Sequence, residues 1–340
     1  MFRKESYIKS LFLCLCTSMV LSYAPENEVT KVATAAANWL KLETGTRAIG
    51  MSGAFTSIGS GVAGIPYNPA NVAFIKNQEG FVSTTNYVAD ISYHVMGYGR
   101  NLSGIDFVAL HIFYLDSGPM DVTTPYYPDG TGETFNFRGM CVRASLGKRI
   151  TNRLRIGFTG KYIREEIYTT FMQSFAFDIG SNFRTDIFGF VLGMSISNLG
   201  PEVQFEGDGL EFECEDEPSG FCQKITDSFM LPLTFRLGLS NEIIGPESSL
   251  VKNKNHKFLV SLDAINPIDY TLYGALGLEY NNSDMFFVRA GTHLGHDTAD
   301  WSLGGGLNLK IRDYRFGLDY AYVNYGILNY THQFGLNFEF

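Results

Sequence analysis

The sequence predicts an all-β fold: an antiparallel transmembrane barrel of about fourteen strands, preceded by a helical and Gly-rich plug. The first observation is composition, because 36 Gly, 28 Phe and 19 Tyr with 18% charged residues suit a wall between lipid and a polar interior. The second is alternation with a period of two, as where Leu154, Ile156 and Phe158 alternate with Arg155 and Thr159. The third is a chain that ends on an aromatic residue.

The predicted strands are long. They run for roughly 10–13 residues, which suits a tilted crossing of a bilayer, whereas strands of a soluble sandwich have about 5–6. An even number of strands is what bacterial barrels have. In chain order the predicted strands are 80–88, 91–100, 105–116, 134–147, 153–165, 170–183, 187–197, 229–240, 256–265, 271–281, 285–292, 301–311, 313–323 and 329–340.

The connections predict which end of the barrel faces outward. If both ends of the barrel chain lie in the periplasm, the outer loops include the two longest connections, 117–133 and 198–228. The expected periplasmic turns are short, apart from 241–255. Short inner turns and long outer loops are typical of outer-membrane barrels.

Residues 1–24 have the pattern of a secretory signal peptide, so we expect export to the cell outer membrane. Arg3 and Lys4 lie in a positive region, and the apolar run 11–21 is too short for the roughly 20 residues of a spanning helix. Residues 1–24 hold three basic and one acidic side chain, so their removal changes the formal charge from −9 to −11. Such an acidic chain argues against nucleic-acid binding.

Residues 25–78 do not alternate, and we expect them to form the plug inside a barrel of residues 79–340. Residues 33–42 indicate a short helix, 48–55 are Gly-rich, and 65–72 contain an Asn-Pro-Ala turn. Gly allows backbones to approach closely and Pro fixes turns, as a compact plug requires. A periplasmic tail is the alternative.

The polar face of the predicted strands carries charges of both signs. Buried charges need partners or water. We therefore expect a hydrated or ion-paired lumen rather than an apolar tunnel. The residues concerned are Arg155, Lys161, Asp178, Arg236, Asp263, Glu279, Arg289, Lys310, Arg315 and Asp319.

The two long outer loops hold the candidate binding residues. Cys214 and Cys222 predict a local disulfide in an oxidising compartment. Clustered carboxylates can bind calcium or a basic partner, although a solvated acidic loop is the alternative. Aromatic residues of loop 117–133 can anchor an interface or belong to the interfacial girdle. The candidate partner-binding residues are Pro125, Tyr126, Tyr127, Glu213, Glu215, Asp216 and Glu217.

The sequence predicts neither an enzyme nor a metal or cofactor site. His293 and His296 have an H-x-x-H spacing, but in a loop they lack the rigid geometry of a helical metal motif. No motif pairs a nucleophile with a base.

The last strand resembles the C-terminal β-signal of outer-membrane proteins. Gln333, Gly335, Phe338 and Phe340 provide its polar residue, its Gly and its two aromatic positions. The resemblance implies that the assembly machinery pairs with this strand by β-augmentation.

The order of features along the chain resembles the PorV/PorQ family of outer-membrane proteins, relatives of the FadL fatty-acid channel fold. The residues that carry the resemblance are Gly50, Met51, Gly53, Ala54, Phe55, Asn68, Pro69 and Ala70. The resemblance covers essentially the whole chain after the signal peptide and implies a FadL-like barrel without a cofactor.

The resemblance implies two functions. PorV-like proteins act in type IX secretion, where they bind the C-terminal domains of secreted cargo beside a large translocon barrel. FadL-like proteins transport long-chain fatty acids or other hydrophobic molecules. The charged polar face favours secretion, because a hydrophobic substrate gains nothing from a polar lining. Secretion is therefore the first hypothesis here and hydrophobic transport is the alternative.

Overall fold

A computed structural model describes residue 32 and residues 34–214, 221–248 and 250–340. Within these residues, fourteen long antiparallel strands close into a barrel. The strand number and the all-β antiparallel barrel predicted from the sequence are therefore confirmed. The expected signal peptide, residues 1–24, lies outside the described residues. No helix in the described part of the chain is long and apolar enough to cross a bilayer.

The barrel strands follow one another around the wall in chain order, and β14 pairs with β1 to close it. They are β1 (Gln78–Asn86), β2 (Ser92–Asn101), β3 (Asp106–Asp116), β4 (Phe137–Arg149), β5 (Leu154–Ile167), β6 (Thr170–Arg184), β7 (Val191–Leu199), β8 (Thr234–Gly245), β9 (His256–Pro267), β10 (Tyr273–Asn282), β11 (Phe286–Leu294), β12 (Trp301–Ile311), β13 (Tyr314–Asn324) and β14 (Tyr330–Glu339).

The largest boundary differences from the sequence prediction are at β7 and β8, which begin four and five residues later than expected. Phe188 and Gly189 have positive φ angles of 51° and 74°, so the chain turns there before β7 begins. Pro232 lacks the N–H that a central strand needs, which delays the start of β8. A bulge places Ser197 and Asn198 opposite Asp178 between β6 and β7.

The two ends of the barrel differ in their connections. One end carries the long loops 117–136 and 200–233, and the other carries tight turns and the longer connection 246–255. We assign the end with long loops to the outside. The short elements of the connections are the strands Met120–Asp121, Thr134–Phe135, Glu211–Glu213, Phe221–Gln223 and Val251–Lys252 and the 3₁₀ turns Val88–Asp90, Asp208–Leu210 and Gly326–Leu328.

Alternation along the strands separates a lipid-facing surface from the interior. In β5, Ile156 and Phe158 are 41% and 42% exposed on the outer surface, whereas Gly157, Thr159 and Lys161 are buried. Apolar side chains facing outward along a closed sheet are what a bilayer requires.

Residues 34–77, here called the internal segment, pack against the inward-facing side of the strands. They contain the 3₁₀ turns Asn38–Lys41, Gly61–Gly64 and Pro69–Phe74 and one α-helical turn, Thr46–Ile49. The helix predicted over residues 33–42 is wrong in extent, because Ala37 has a left-handed φ of 50° and its neighbour Ala36 is hydrogen-bonded to an outer loop.

Candidate functional site

The internal segment starts at the outer end of the barrel. The Ala36 N–H donates to the carbonyl of Met230 in the loop between β7 and β8, at 2.9 Å. The Trp39 indole N–H donates to Glu165 Oε2 at 2.8 Å, and its ring stacks on Phe113 with centroids 5.3 Å apart. These contacts join the segment to β3, β5 and one long loop.

The Gly-rich motif of the internal segment lies against the barrel wall. A Cβ on Gly50 would lie 3.1 Å from the Cα of Gly304. Met51 occupies space left by Gly277 and Gly291, because a Cβ at position 291 would lie 2.4 Å from the carbonyl carbon of Met51. Small residues on both sides therefore allow two backbones to approach closely.

The second half of the motif bonds to β9. The Phe55 and Thr56 N–H groups donate to Asp263 Oδ2 at 2.9 and 2.8 Å. Gly53 has a positive φ of 68°, which favours glycine, and Ala54 and Phe55 are completely buried. Asp263 thus satisfies two backbone donors that would otherwise be unpaired in the interior.

The Asn-Pro-Ala turn caps the 3₁₀ turn Pro69–Phe74. Asn68 Oδ1 accepts from the Ala70 N–H at 3.0 Å, while its Nδ2 donates to the carbonyls of Thr56 and Ser181 at 2.8 and 2.9 Å. The Ser181 carbonyl belongs to β6, so this side chain links the internal segment to the wall. An N-cap Asn followed by Pro is a favourable start for a helical turn.

A belt of inward-facing glycines surrounds the internal segment. A Cβ on any of them would lie between 2.1 and 3.1 Å from an atom of the segment, too close for an ordinary contact. The strands therefore contact the segment through backbone. The belt consists of Gly97, Gly99, Gly147, Gly157, Gly180, Gly193, Gly238, Gly277, Gly291, Gly304 and Gly335.

Ion pairs link the internal segment to the wall in the inner half of the barrel. Arg47 donates to both carboxylate oxygens of Glu279, at 2.8 and 2.7 Å. Arg289 also bonds to Glu279, at 2.6 Å, and to Asp319, which accepts from Asn337 at 2.5 Å. A polar cavity of about 380 Å³ adjoins this network.

The interior contains both charged and apolar side chains. The charged residues predicted for the lumen all point inward, as the alternation requires. The interior also contains an apolar cluster, which runs from Trp39 and Phe113 toward the outer end to Phe107 near the inner end. Ion pairs are not confined to one half of the interior, since Lys41 pairs with buried Asp269 near the outer end, at 2.6 Å.

An apolar groove of about 710 Å³ lies on the lipid-facing surface of β3 to β8 and is here called the wall groove. Ser181 on β6 is small where its neighbours on the same face, Ile179 and Phe183, are large. The backbones of Gly157 and Gly180 form part of the floor. Large apolar side chains form the sides of the groove: Leu146, Ile156, Phe158, Ile179, Met194 and Ile196.

The Asn-Pro-Ala turn lies immediately behind the wall groove. A Cβ on Gly157 would lie 2.2 Å from the carbonyl carbon of Pro69, and one on Gly180 would lie 2.1 Å from Asn68 Oδ1. The internal segment is thus separated from the lipid side by a single backbone layer. A concave apolar surface of this volume is in the range of ligand pockets.

The sequence prediction did not include the wall groove. A pattern in the sequence could have indicated it, since Ser181 follows Phe175, Phe177 and Ile179 on the same face of β6. A small residue among large ones on a lipid-facing strand indicates a depression.

The predicted partner-binding residues lie on two different outer loops. Tyr126 and Tyr127 are 90% and 63% exposed in the loop that also carries Pro125. Glu213 is exposed beside the disulfide between Cys214 and Cys222. The other predicted carboxylates, Glu215, Asp216 and Glu217, lie outside the described residues.

The residues of the C-terminal signal belong to β14, at the closing seam. Gln333 faces inward and donates to Thr85 Oγ1, and a Cβ on Gly335 would lie 2.4 Å from Thr46 Oγ1. Phe338 and Phe340 lie on the opposite, lipid-facing side of the strand. The strand thus contacts β1, the internal segment and the bilayer.

The two histidines lie near the outer end of β11. His293 Nε2 is 2.9 Å from Glu43 Oε1. His296 Nδ1 accepts from the N–H groups of Thr298 and Ala299, both at 3.2 Å. The described residues contain no group of three His, Cys, Asp or Glu side chains arranged to hold a metal ion.

No family model and no curated relative matches the sequence. The fold is similar to those of solved structures that belong to FadL-like barrels. The Pseudomonas putida toluene transporter TodX is 12% identical with a TM-score of 0.55, over 87% of this chain and 97% of TodX.

Two more structures have the same fold. The monoaromatic hydrocarbon channel CymD is 10% identical with a TM-score of 0.55, over 87% of this chain and 96% of CymD. A Pseudomonas aeruginosa FadL homologue is 11% identical with a TM-score of 0.52, over 87% of this chain and 96% of the homologue. TodX and CymD are transport channels rather than enzymes, and these similarities give no support to the PorV/PorQ assignment.

Proposed function

We propose that this protein is an outer-membrane transporter of hydrophobic molecules. The observation that carries the proposal is the wall groove, an apolar depression that opens toward lipid and has the Asn-Pro-Ala turn directly behind its floor. The FadL-like fold supports the same function, because TodX and CymD carry hydrocarbons. Hydrophobic transport, the alternative hypothesis drawn from the sequence, is thus preferred to protein secretion.

The route proposed runs from the outer apolar cluster to the side of the barrel. Hydrophobic molecules enter among Trp39, Phe113 and the outer loops, where the interior is apolar. They leave at the wall groove, because the inner half contains the ion pairs of Arg47, Glu279 and Arg289 and has no affinity for them. Passage requires the Asn-Pro-Ala turn to move away from the groove floor.

Uptake by cells tests the proposal. A Gram-negative host without a hydrophobic-molecule transporter, expressing the chain, should take up radiolabelled toluene or oleate faster than the empty host. Ser181→Trp fills the groove and should reduce uptake to the level of the empty host. Ala144→Trp places the same side chain on the lipid-facing side of β4, outside the groove, and should leave uptake unchanged.

Two results would contradict the proposal. One is uptake equal to that of the empty host although the barrel is assembled, as judged by its heat-modifiable mobility on gels. The other is unchanged uptake by Ser181→Trp, which would place the route elsewhere.

The second candidate function is protein secretion of the type IX kind, with the outer loops as the binding surface. The observation that favours it is the exposure of Tyr126 and Tyr127, since exposed aromatics can anchor an interface. Gentle purification from native outer membrane, followed by mass spectrometry, tests it. Recovery of a very large barrel or of cargo, lost in Tyr126→Ala/Tyr127→Ala, would favour secretion. Recovery of neither would leave transport as the better account.

A further inference from the structure

We infer that the wall groove binds a glycerophospholipid of the periplasmic leaflet, with acyl chains in the groove and the head group at its charged end. The inference rests on the proposed function, because it names the class of ligand for the same groove.

The floor and sides of the groove fit acyl chains. Ser181 and the backbones of Gly157 and Gly180 leave a depression between Ile156, on β5, and Met194, on β7. A flexible aliphatic chain follows such an irregular apolar surface and gains contact area that a flat wall does not offer. The volume of about 710 Å³ is larger than a single small aromatic molecule needs.

One end of the groove is charged. Asp106 on β3 and Lys148 on β4 are directly opposite in the strand register, and Lys148 Nζ lies 3.3 Å from Asp106 Oδ1. Both side chains are about half exposed, so each can contact a further group. Among the described residues that line the groove, these two carry the charges.

A zwitterionic head group matches this pair. The phosphate of phosphatidylethanolamine can accept from Lys148, and its ammonium group can donate to Asp106. A neutral hydrocarbon has no group for either side chain. A second copy of the chain would have to insert a side chain into the groove, and the test below separates that occupant from lipid.

The charged end lies at the periplasmic surface of the bilayer. Asp106 is the first residue of β3, and Lys148 is next to the last residue of β4. Both therefore stand beside the tight turns of the inner end. A lysine at that depth extends toward the head groups while its methylene chain stays in apolar surroundings. The lipid that meets this end of the groove is a phospholipid.

Native mass spectrometry of the full-length barrel tests the inference. The protein is purified in mild detergent, stripped of lipid and incubated with equal amounts of phosphatidylethanolamine and of diacylglycerol with the same chains. Wild type should retain one phospholipid and prefer it over diacylglycerol, on the order of five-fold for one lysine–phosphate contact. Lys148→Glu should lose this preference while it still retains diacylglycerol.

Two tryptophan variants locate the lipid. Ser181→Trp should lose both lipids, and the matched Ala144→Trp should bind as wild type does. A barrel that retains both lipids equally would overturn the phospholipid inference and leave hydrophobic binding intact. A barrel that retains neither lipid would contradict both proposals, and dimers in place of lipid adducts would assign the groove to a second copy. Retention of phospholipid by Ser181→Trp would also overturn the inference, because the lipid would then lie elsewhere.

Discussion

Gly157 contacts Pro69 so closely that a Cβ at position 157 would lie 2.2 Å from the carbonyl carbon of Pro69. The strand and the internal segment therefore meet through their backbones alone. This contact determines how thin the barrel wall is behind the wall groove. It also makes the fit between wall and segment sensitive to one methyl group.

We predict that Gly157→Ala destabilises the barrel by about 3 kcal/mol, the upper end for overpacking, because the added methyl group meets backbone that cannot rotate away. Gly160→Ala is the matched control on the same strand, since a Cβ there has nothing within 4 Å. It should change the free energy by less than about 0.5 kcal/mol. The measurement is urea unfolding of the barrel in lipid vesicles. Equal effects of the two substitutions would contradict the close contact.

We predict that Arg47→Met loosens the internal segment. It removes the two hydrogen bonds to buried Glu279, at an expected cost of about 2 kcal/mol, a value reduced because the Arg47 side chain is 29% exposed and Glu279 keeps Arg289. Ion conductance in planar bilayers should rise, because the segment packs against the inward-facing side of the strands and its release would widen any path through the barrel.

Arg153→Met is the control for Arg47→Met. Arg153 pairs with Asp186 at an exposed periplasmic turn, where an ion pair contributes little. Conductance should stay at the wild-type level. If Arg47→Met and wild type conducted equally while both were folded, Arg47 would have no part in holding the segment.

We predict that the outer loop around His296 opens at low pH. Burial and the nearby His293 lower the pKa of His296 below its ordinary value of about 6.5. At a pH between this lowered pKa and about 6.5, the unfolded loop therefore binds a proton that the folded loop does not. The folded loop loses stability as the pH falls below about 6.5 and keeps it above that value.

Hydrogen exchange measures this opening. The N–H groups of Thr298 and Ala299, which donate to His296 Nδ1, should lose protection below pH about 6.5 after correction for the intrinsic exchange rate. His296→Asn keeps an acceptor that does not titrate and should show no such loss. A pH dependence that survives in this variant would assign the effect to another group.

We predict that the disulfide between Cys214 and Cys222 stabilises its loop but not the barrel. The half-cystines are eight residues apart in the loop between β7 and β8, outside the sheet that closes the wall. Cys214→Ser/Cys222→Ser should increase protease cleavage within 200–233 and leave the heat-modifiable mobility unchanged. Loss of assembly would mean that this loop takes part in barrel formation.

The barrel strands could be predicted from the sequence because each strand is indicated by the alternation of its own residues. Alternation of residues such as Ile156 and Phe158 with Gly157 and Thr159 follows from the period of a strand, whatever the neighbouring strand is. The bulge at Asn198 and the late start of β8 depend on how neighbouring strands pair. Periodicity within one strand cannot give that information.

The position of the internal segment was harder to predict from the sequence. Inward-facing glycines such as Gly180 and Gly291 indicate that some backbone approaches closely, but not that it belongs to Pro69 or Met51. The wall groove depends on Ser181 and on side chains from several strands, so its shape follows from register. The apolar cluster of the interior also arises from long-range contacts, such as Trp39 with Phe113.

The most direct test of the central claim is to photolabel the purified barrel with an alkane that carries a diazirine and to map the labelled peptides by mass spectrometry. The proposed transport function predicts labels concentrated on Ile156, Ile179 and Met194, which border the wall groove. Phe316 and Leu336, exposed on the opposite lipid-facing side, should be labelled weakly. Equal labelling of both sides would mean that the groove has no affinity for hydrophobic molecules, and would contradict the proposed transport function.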